Sequence, residues 1–201
     1  MNQTMKKANL DDRTAGTALA IASVLVVAVM AHHPSNFESE LGAPVHAVMI
    51  VLVIVSWAGY ARLAWRCGVH RFSVLFGLAA YTAASLANIL AGTIDGFITP
   101  ALLDRNVSKD VLRMCWEINQ AMAFGAVYAT AAAITIWSIQ LLRVGGVERA
   151  IGILGIGIGA ATAVLLLSGT LSMHVAGALI VYALEALFGL LAAVVLVRAR
   201  L

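Results

Sequence analysis

The sequence predicts an all-α membrane protein, a polytopic helical bundle with six transmembrane helices. Of its 201 residues, 62% are hydrophobic and 11% are charged, whereas a soluble domain is about half apolar and about a quarter charged. The apolar residues form six runs, and a run of about 20 residues crosses the hydrocarbon core. Few residues lie outside these runs, so residues 1–201 are expected to form a single integral membrane domain. Helices are expected because each satisfies its own backbone hydrogen bonds in lipid.

The six predicted helices have boundaries of different kinds. Pro100 lacks a backbone N–H, and it is expected to end the third helix. A short surface helix is predicted over residues 107–113, with Ser108 as its N-cap. The fourth run is long for one crossing, so it is expected to tilt or to project beyond the bilayer. The predicted helices cover residues 14–31, 45–65, 72–98, 115–142, 150–168 and 173–197.

The first apolar run has two interpretations. It follows a basic N-terminal stretch, and Val29-Met30-Ala31 resembles the small-residue motif at which a secretory signal peptide is cleaved. We expect the run to be retained as the first transmembrane helix. The connector that follows it is acidic and contains Glu38 and Glu40.

The fifth run is rich in glycine. Gly155 and Gly159 are four residues apart, and Gly152 lies seven residues before Gly159. Small residues at these spacings share one face of a helix and let two helix backbones approach closely. This pattern predicts close packing of the fifth helix against a neighbour.

Lysine and arginine are distributed unevenly between the two ends of the predicted helices. One end holds Arg105, Lys109 and Arg113. The positive-inside rule places the richer end, with both termini, in the cytoplasm. We expect an integral protein of the bacterial cytoplasmic (inner) membrane. The richer end holds Lys6, Lys7, Arg13, Arg62, Arg66, Arg71, Arg143, Arg149, Arg198 and Arg200.

Polar residues of the predicted outer end fall into stripes on two helices. Asn88 and Asp95 are seven residues apart, so they share one face of the third helix. Glu117, Gln120 and Tyr128 follow three- and four-residue steps along the fourth helix, by way of Phe124. We predict that these residues bind a ligand or carry protons. The alternative is that Asp95 and Glu117 form ion pairs with basic residues of the connector between the two helices.

Glu185 lies near the middle of the sixth apolar run. It follows His174 by eleven residues, which places it on nearly the same helix face and about 16 Å deeper. An ionised carboxylate at that depth would cost at least a few kcal/mol unless it were paired or faced water. We therefore expect Glu185 to be protonated or hydrogen-bonded, and to take part in ligand binding or proton transfer. A structural hydrogen bond between helices is the alternative.

Four of the five histidines, His32, His33, His46 and His174, are predicted at the outer end. His33, His46 and His174 are candidate metal ligands, because imidazole suits iron, copper and zinc. A haem held by His46 and His174 on two helices is a further alternative. However, the sequence contains no HExxH, HxxxH or CxxC motif.

These observations support three functions. The first is a protein with a polar histidine and carboxylate cavity open to the periplasmic or extracellular side, which binds or transports a small polar molecule, an ion or a lipid headgroup. The second is a non-catalytic assembly or regulatory subunit of a membrane complex. The third is a haem- or metal-binding membrane oxidoreductase. The expected partners are the lipid bilayer and either a second copy of the chain or a larger membrane complex. Nucleic-acid motifs are absent.

Overall fold

The computed structural model describes residues 3–33 and 41–198, with side chains from residue 10 onward. The predicted acidic connector with Glu38 and Glu40 therefore lies outside the described residues, as do Arg200 and the side chains of Lys6 and Lys7.

In the described part of the chain every regular element is helical. Six segments are long and apolar enough to cross a membrane, and the third of them runs from Phe72 to Asp104. The predicted all-α bundle with six transmembrane helices is thus confirmed. The elements are α1 (Gln3–Ala31), α2 (Gly42–Gly68), α3 (Phe72–Thr93), a π-helical turn (Ile94–Ile98), α4 (Thr99–Asp104), α5 (Lys109–Leu142), α6 (Gly146–Leu167) and α7 (Val175–Val197).

The third span continues past the proline that was expected to end it. Thr99 donates its N–H to the carbonyl of Ile94, five residues earlier, which is the hydrogen bond of a π-helix. Pro100 then lies in the first turn of α4. A proline is tolerated there because the first turn of a helix needs no intrahelical N–H donor. The prediction that Pro100 ends the helix was therefore wrong, and the π-helical turn explains how the chain passes it.

The fourth span is one helix of 34 residues, α5. The separate surface helix predicted over residues 107–113 is absent, because residues from Lys109 onward are already part of α5. Ser108 occupies the predicted N-cap position, with an extended backbone, but it makes no side-chain capping hydrogen bond. At 1.5 Å per residue α5 is about 50 Å long, well beyond the roughly 30 Å of the hydrocarbon core.

The six spans form a closed ring. Each packs against the next span along the chain, in the order α1, α2, α3, α5, α6 and α7, and α7 packs against α1. α2, α5 and α7 also meet one another across the middle. The interior therefore contains side chains from helices that are distant in sequence.

Aromatic side chains fill one half of this interior. The ring of Tyr60 lies 5.4 Å from that of Trp137 and 6.0 Å from that of Phe188, and both pairs are stacked. Tyr81 packs edge-on against Tyr60 at 4.6 Å. At the nearby end of the bundle, Arg62 of α2 forms an ion pair with the buried Asp12 of α1. Packed side chains thus occupy most of this half, and the larger cavity lies toward the other end.

The glycines of α6 pack against α5, as their spacing predicts. A Cβ atom on Gly152 would lie 2.6 Å from the carbonyl oxygen of Ser138, and one on Gly159 would lie 2.8 Å from that of Ala131. Both atoms belong to backbone, so side-chain rotation cannot relieve the overlap. Gly157, on the same helix, has no atom within 4 Å of such a Cβ.

We predict that Gly152→Ala destabilises the protein by about 1–3 kcal/mol, because the added methyl overpacks the contact between α5 and α6. Gly157→Ala is the matched control and should be neutral or slightly stabilising, since alanine favours a helix. Reversible unfolding of the purified protein in mixed micelles measures both values. Equal effects of the two variants would contradict the packing described here.

Candidate functional site

A cavity of about 240 Å³ opens where α1 ends and α2, α5 and α7 begin. Residues from α1, α2, α3, the π-helical turn, α4, α5 and α7 line it, together with residues of the connectors next to α1 and α7. Six residues singled out from the sequence converge on this cavity although they belong to separate spans: His33, His46, Asn88, Asp95, Gln120 and His174. We call it the outer cavity.

Three other predicted residues lie elsewhere. Glu117 is 55% exposed and accepts a hydrogen bond from Arg113, one turn earlier on α5, at 2.9 Å. The ion-pair alternative therefore describes Glu117. Tyr128 packs beside an apolar cluster that includes Val127. Glu185 lines a second, smaller cavity deeper in the bundle.

His46 is the most tightly held side chain of the outer cavity. It is 7% exposed, and its Nδ1–H donates to the carbonyl oxygen of Gly42 at 2.7 Å. Because that carbonyl can only accept, the proton is on Nδ1, and in the neutral ring Nε2 carries a lone pair. The Nε2 atom of His33 lies 3.1 Å from the Nε2 atom of His46. The two rings meet edge to face, with an interplanar angle of 77°.

Two glycines of the third span make room for His46. A Cβ atom on Gly96 would overlap the Cβ of His46, and one on Gly92 would lie 3.8 Å from its Cδ2. The imidazole is therefore packed directly against the backbone of the third span. A larger residue at position 96 would displace it.

Asp95 is presented by the π-helical turn. Its Oδ1 atom is buried and has no hydrogen-bond partner among the described residues. Such an atom leaves a strong acceptor available to whatever enters the cavity. π-helical turns inside α-helices are frequent at functional sites because the extra residue re-aims the side chains around it.

Asn119 supports the same turn from the opposite helix. Its amide is buried and donates to the carbonyl oxygen of Ala91 at 3.0 Å. Ala91 is close to the point where the α-helical hydrogen bonds give way to π-helical ones. A neighbouring side chain thus stabilises the backbone of an irregular helix within the membrane.

The floor of the outer cavity is also a wall of a smaller cavity. Tyr182 donates its hydroxyl to Oδ1 of Asn88 at 3.3 Å, and both residues line the two cavities. The deeper cavity, of about 50 Å³, also contains Glu185 and the aromatic residues Tyr60 and Tyr81. We call it the Glu185 cavity.

Glu185 is surrounded mainly by uncharged polar groups. Its Oε1 atom is buried without a hydrogen-bond partner among the described residues. The hydroxyl of Tyr60 lies 3.5 Å from the backbone carbonyl of Glu185 and donates to it. No lysine or arginine lines this cavity in the part of the chain that the structure describes. The described lining thus offers Glu185 polar neighbours but no basic side chain.

The outer cavity, like the Glu185 cavity, is lined by a carboxylate and by no basic lysine or arginine among the described residues. Its lining includes Asp95 and three histidines but, among the described residues, neither lysine nor arginine. Neutral imidazoles and amides can donate or accept hydrogen bonds, and the carboxylate can only accept when it is ionised. The arrangement therefore favours a positively charged or hydrogen-bond-donating ligand over an anion.

Sequence reasoning missed the methionines and the tryptophan of the lining. Met30, Met49, Met173 and Trp116 all face the outer cavity. A methionine in an apolar run is indistinguishable from an ordinary core residue by pattern. The available signal was that Met30 and Met173 lie at span ends, close to His33 and His174.

The three-histidine metal set is only partly assembled. His33 and His46 meet, but His174 lies beside Trp116, with ring centroids 6.1 Å apart. Among the described residues, no three histidine, cysteine, aspartate or glutamate side chains are close enough to hold a metal ion together. A site made of these three histidines alone is therefore not present in this arrangement.

Comparison of the chain with protein-family models, with curated proteins and with solved structures finds no match in any of the three. The class is accordingly defined by the molecule itself. It is an integral membrane bundle of six helices.

We predict that Asn119→Leu destabilises the protein by roughly 1–2 kcal/mol, because the buried carbonyl of Ala91 loses its side-chain donor. Ala121→Leu, two residues away on the exposed side of α5, should change stability by less than about 0.5 kcal/mol. Unfolding in mixed micelles gives both values. A neutral Asn119→Leu variant would mean that the π-helical turn does not depend on this contact.

Proposed function

We propose that this protein binds a small cation in the outer cavity and transports it across the membrane in exchange for a proton carried by Glu185. The observation that supports the proposal most strongly is the convergence of Asp95, Gln120, the histidines and Asn88 on one cavity. Polar and ionisable groups inside a membrane are expensive and usually mark a pathway for an ion or substrate.

The choice of a cation follows from the lining. Asp95 offers a buried oxygen without a partner among the described residues, and the described lining contributes no lysine or arginine to compete for it. An anion would meet this carboxylate without a compensating positive charge. A cation would instead pair with it in a low-dielectric environment, where such attraction is strong.

Glu185 couples the movement of the cation to the movement of a proton. In an apolar bundle a carboxylic acid stays protonated unless a positive charge or water stabilises its ionised form. Asn88 and Tyr182 lie between the Glu185 cavity and the outer cavity and line both. A cation that moves from the outer to the deeper cavity can replace the proton of Glu185, so that the net charge buried in the membrane is unchanged.

The direction of exchange depends on orientation. The excess of lysine and arginine at the opposite end of the spans supports an outer cavity that opens to the periplasmic or extracellular side. We propose the bacterial cytoplasmic membrane as the location. The cation then enters from outside, and the proton of Glu185 leaves toward the outer cavity.

Access to the outer cavity is testable with cysteine labelling. In a background with Cys67→Ser and Cys115→Ala, we predict that Asn88→Cys reacts with a small membrane-impermeant thiol reagent added from outside. Leu90→Cys is the matched control: it is two residues away at nearly the same depth, and Leu90 is 50% exposed on the outer surface of the bundle. Its thiol should face lipid, where the reactive thiolate does not form.

The reagent is applied to intact cells and to purified protein, and mass spectrometry of the protein measures the labelled fraction. Equal labelling of the two cysteines, or none at Asn88→Cys, would remove the aqueous cavity on which the proposed function depends.

The proton exchange predicts a specific effect of Glu185→Gln. In liposomes containing wild-type protein and an internal pH dye, external salts of potassium, manganese and, under reducing and oxygen-free conditions, copper(I) are added in turn. We expect at least one of these cations to raise the internal pH, and Glu185→Gln to slow that rise at least about tenfold, because an amide cannot release a proton. Glu117→Gln is the control and should keep the wild-type rate, since Glu117 lies on the surface. Wild-type rates in Glu185→Gln would contradict this role.

A further inference from the structure

The outer cavity carries a more specific set of ligand atoms than a general cation site requires. We propose that it binds a copper(I) ion, anchored by the Nε2 atoms of His33 and His46 and completed by methionine sulfur. This inference rests on the proposed function in one respect, namely that the cavity admits a cation. It adds the identity of that cation and the atoms that hold it.

The spacing of the two imidazoles fits a shared metal ion. Their Nε2 atoms are 3.1 Å apart. Two nitrogens that each bind one ion at about 2.0–2.1 Å, with an angle of about 90–120° between the bonds, lie about 2.8–3.6 Å from each other. The rings can therefore bind one ion between them with little movement.

His46 already has the tautomer of a metal ligand. Its Nδ1–H donates to the carbonyl oxygen of Gly42 at 2.7 Å, which leaves the Nε2 lone pair directed toward His33. Metal-bound histidines nearly always donate their second nitrogen to a carbonyl or carboxylate in this way. Gly92 and Gly96 hold the ring in place from the other side.

Without an ion, a proton occupies the space between the rings. Nε2–H of a neutral His33 donates to the lone pair of His46, since the His46 proton is on Nδ1. To bind copper, His33 takes the other neutral tautomer, with its proton on Nδ1. Both Nε2 atoms then donate a lone pair to the ion, and the protein neither gains nor loses a proton in this step.

The methionines distinguish copper(I) from harder metals. Three of the seven methionines in the chain, Met30, Met49 and Met173, line the same cavity as the histidine pair. Thioether sulfur is a soft ligand that selects copper(I), while imidazole is also a good copper ligand. All three methionines also pack in the apolar cluster near this end of the bundle, so they serve as core residues as well as lining the cavity that contains the histidine pair.

A copper(I) site does not require a third hard ligand. Among the described residues no third histidine, cysteine, aspartate or glutamate joins His33 and His46 closely enough to complete a site. A structural zinc site uses four nitrogen, sulfur or oxygen ligands, usually from cysteine, histidine and acidic residues. Copper(I) accepts low coordination numbers, so two imidazoles and one thioether suffice.

Equilibrium binding of copper(I) tests the proposal. The full-length protein, purified in detergent under reducing and oxygen-free conditions, competes with a coloured copper(I) chelator. We expect one copper(I) ion per chain for wild type and for His32→Gln, the adjacent histidine, which is exposed and bonds to the backbone of α1. His33→Gln, His46→Gln and the triple variant Met30→Leu/Met49→Leu/Met173→Leu should each bind at least about tenfold more weakly.

A second measurement covers the case in which His46→Gln does not fold. X-ray absorption at the copper edge of the wild-type complex should report both nitrogen and sulfur neighbours. A wild-type protein that does not bind copper(I), a His33→Gln variant with wild-type affinity, or a copper environment without sulfur would each overturn the copper site. Normal labelling of Asn88→Cys together with any of these results would leave the cation cavity standing, so the two proposals fail separately.

Discussion

Hydrocarbon offers no partner to a polar side chain, and this constraint organises the whole bundle. Most of the surface of the six spans is apolar, so the ionisable groups lie at the ends or turn inward. Asp12 turns inward to Arg62 and Arg66 at one end. At the other end the inward-facing groups surround open space. The same solvent thus produces a partly buried ion pair at one end and a cavity toward the other.

The π-helical turn is the local device that shapes the cavity. A regular helix through Pro100 would lose a hydrogen bond and bring the proline ring against an earlier carbonyl. The wider turn avoids this, and it also determines where Asp95 points. The backbone cannot be left without hydrogen bonds in lipid, which explains why Asn119 of α5 reaches across to Ala91. Shape, stability and the chemical group at the cavity wall therefore arise from one irregularity.

The sequence predicted the bundle well because its signals are strong and local. Length and hydropathy define the spans, and glycine spacing identified the contact between α5 and α6. The shared face of Asn88 and Asp95 also followed from helix periodicity. Features that depend on packing between segments distant in sequence were harder to predict. The stripe through Glu117, Gln120 and Tyr128 contributed only Gln120 to the cavity, because the rotation of α5 about its own axis is fixed by neighbours that one helix cannot reveal.

The methionines and the passage through Pro100 were missed for related reasons. A methionine gives the same local pattern whether it fills a core or lines a cavity. A π-helical turn depends on a partner side chain 28 residues later in the chain. Neither feature can be predicted from one helix, because each depends on which helices pack together.

The glycine contact between α5 and α6 has a mechanical consequence. The backbones of α5 and α6 touch without intervening side chains that could repack. The two helices are therefore expected to move as one rigid body. α6 lines neither cavity but stands next to α7, which carries Glu185. A rocking movement of α5 would therefore carry α6 with it, and the contact between α6 and α7, which is the least extensive in the ring, is where the helices would separate.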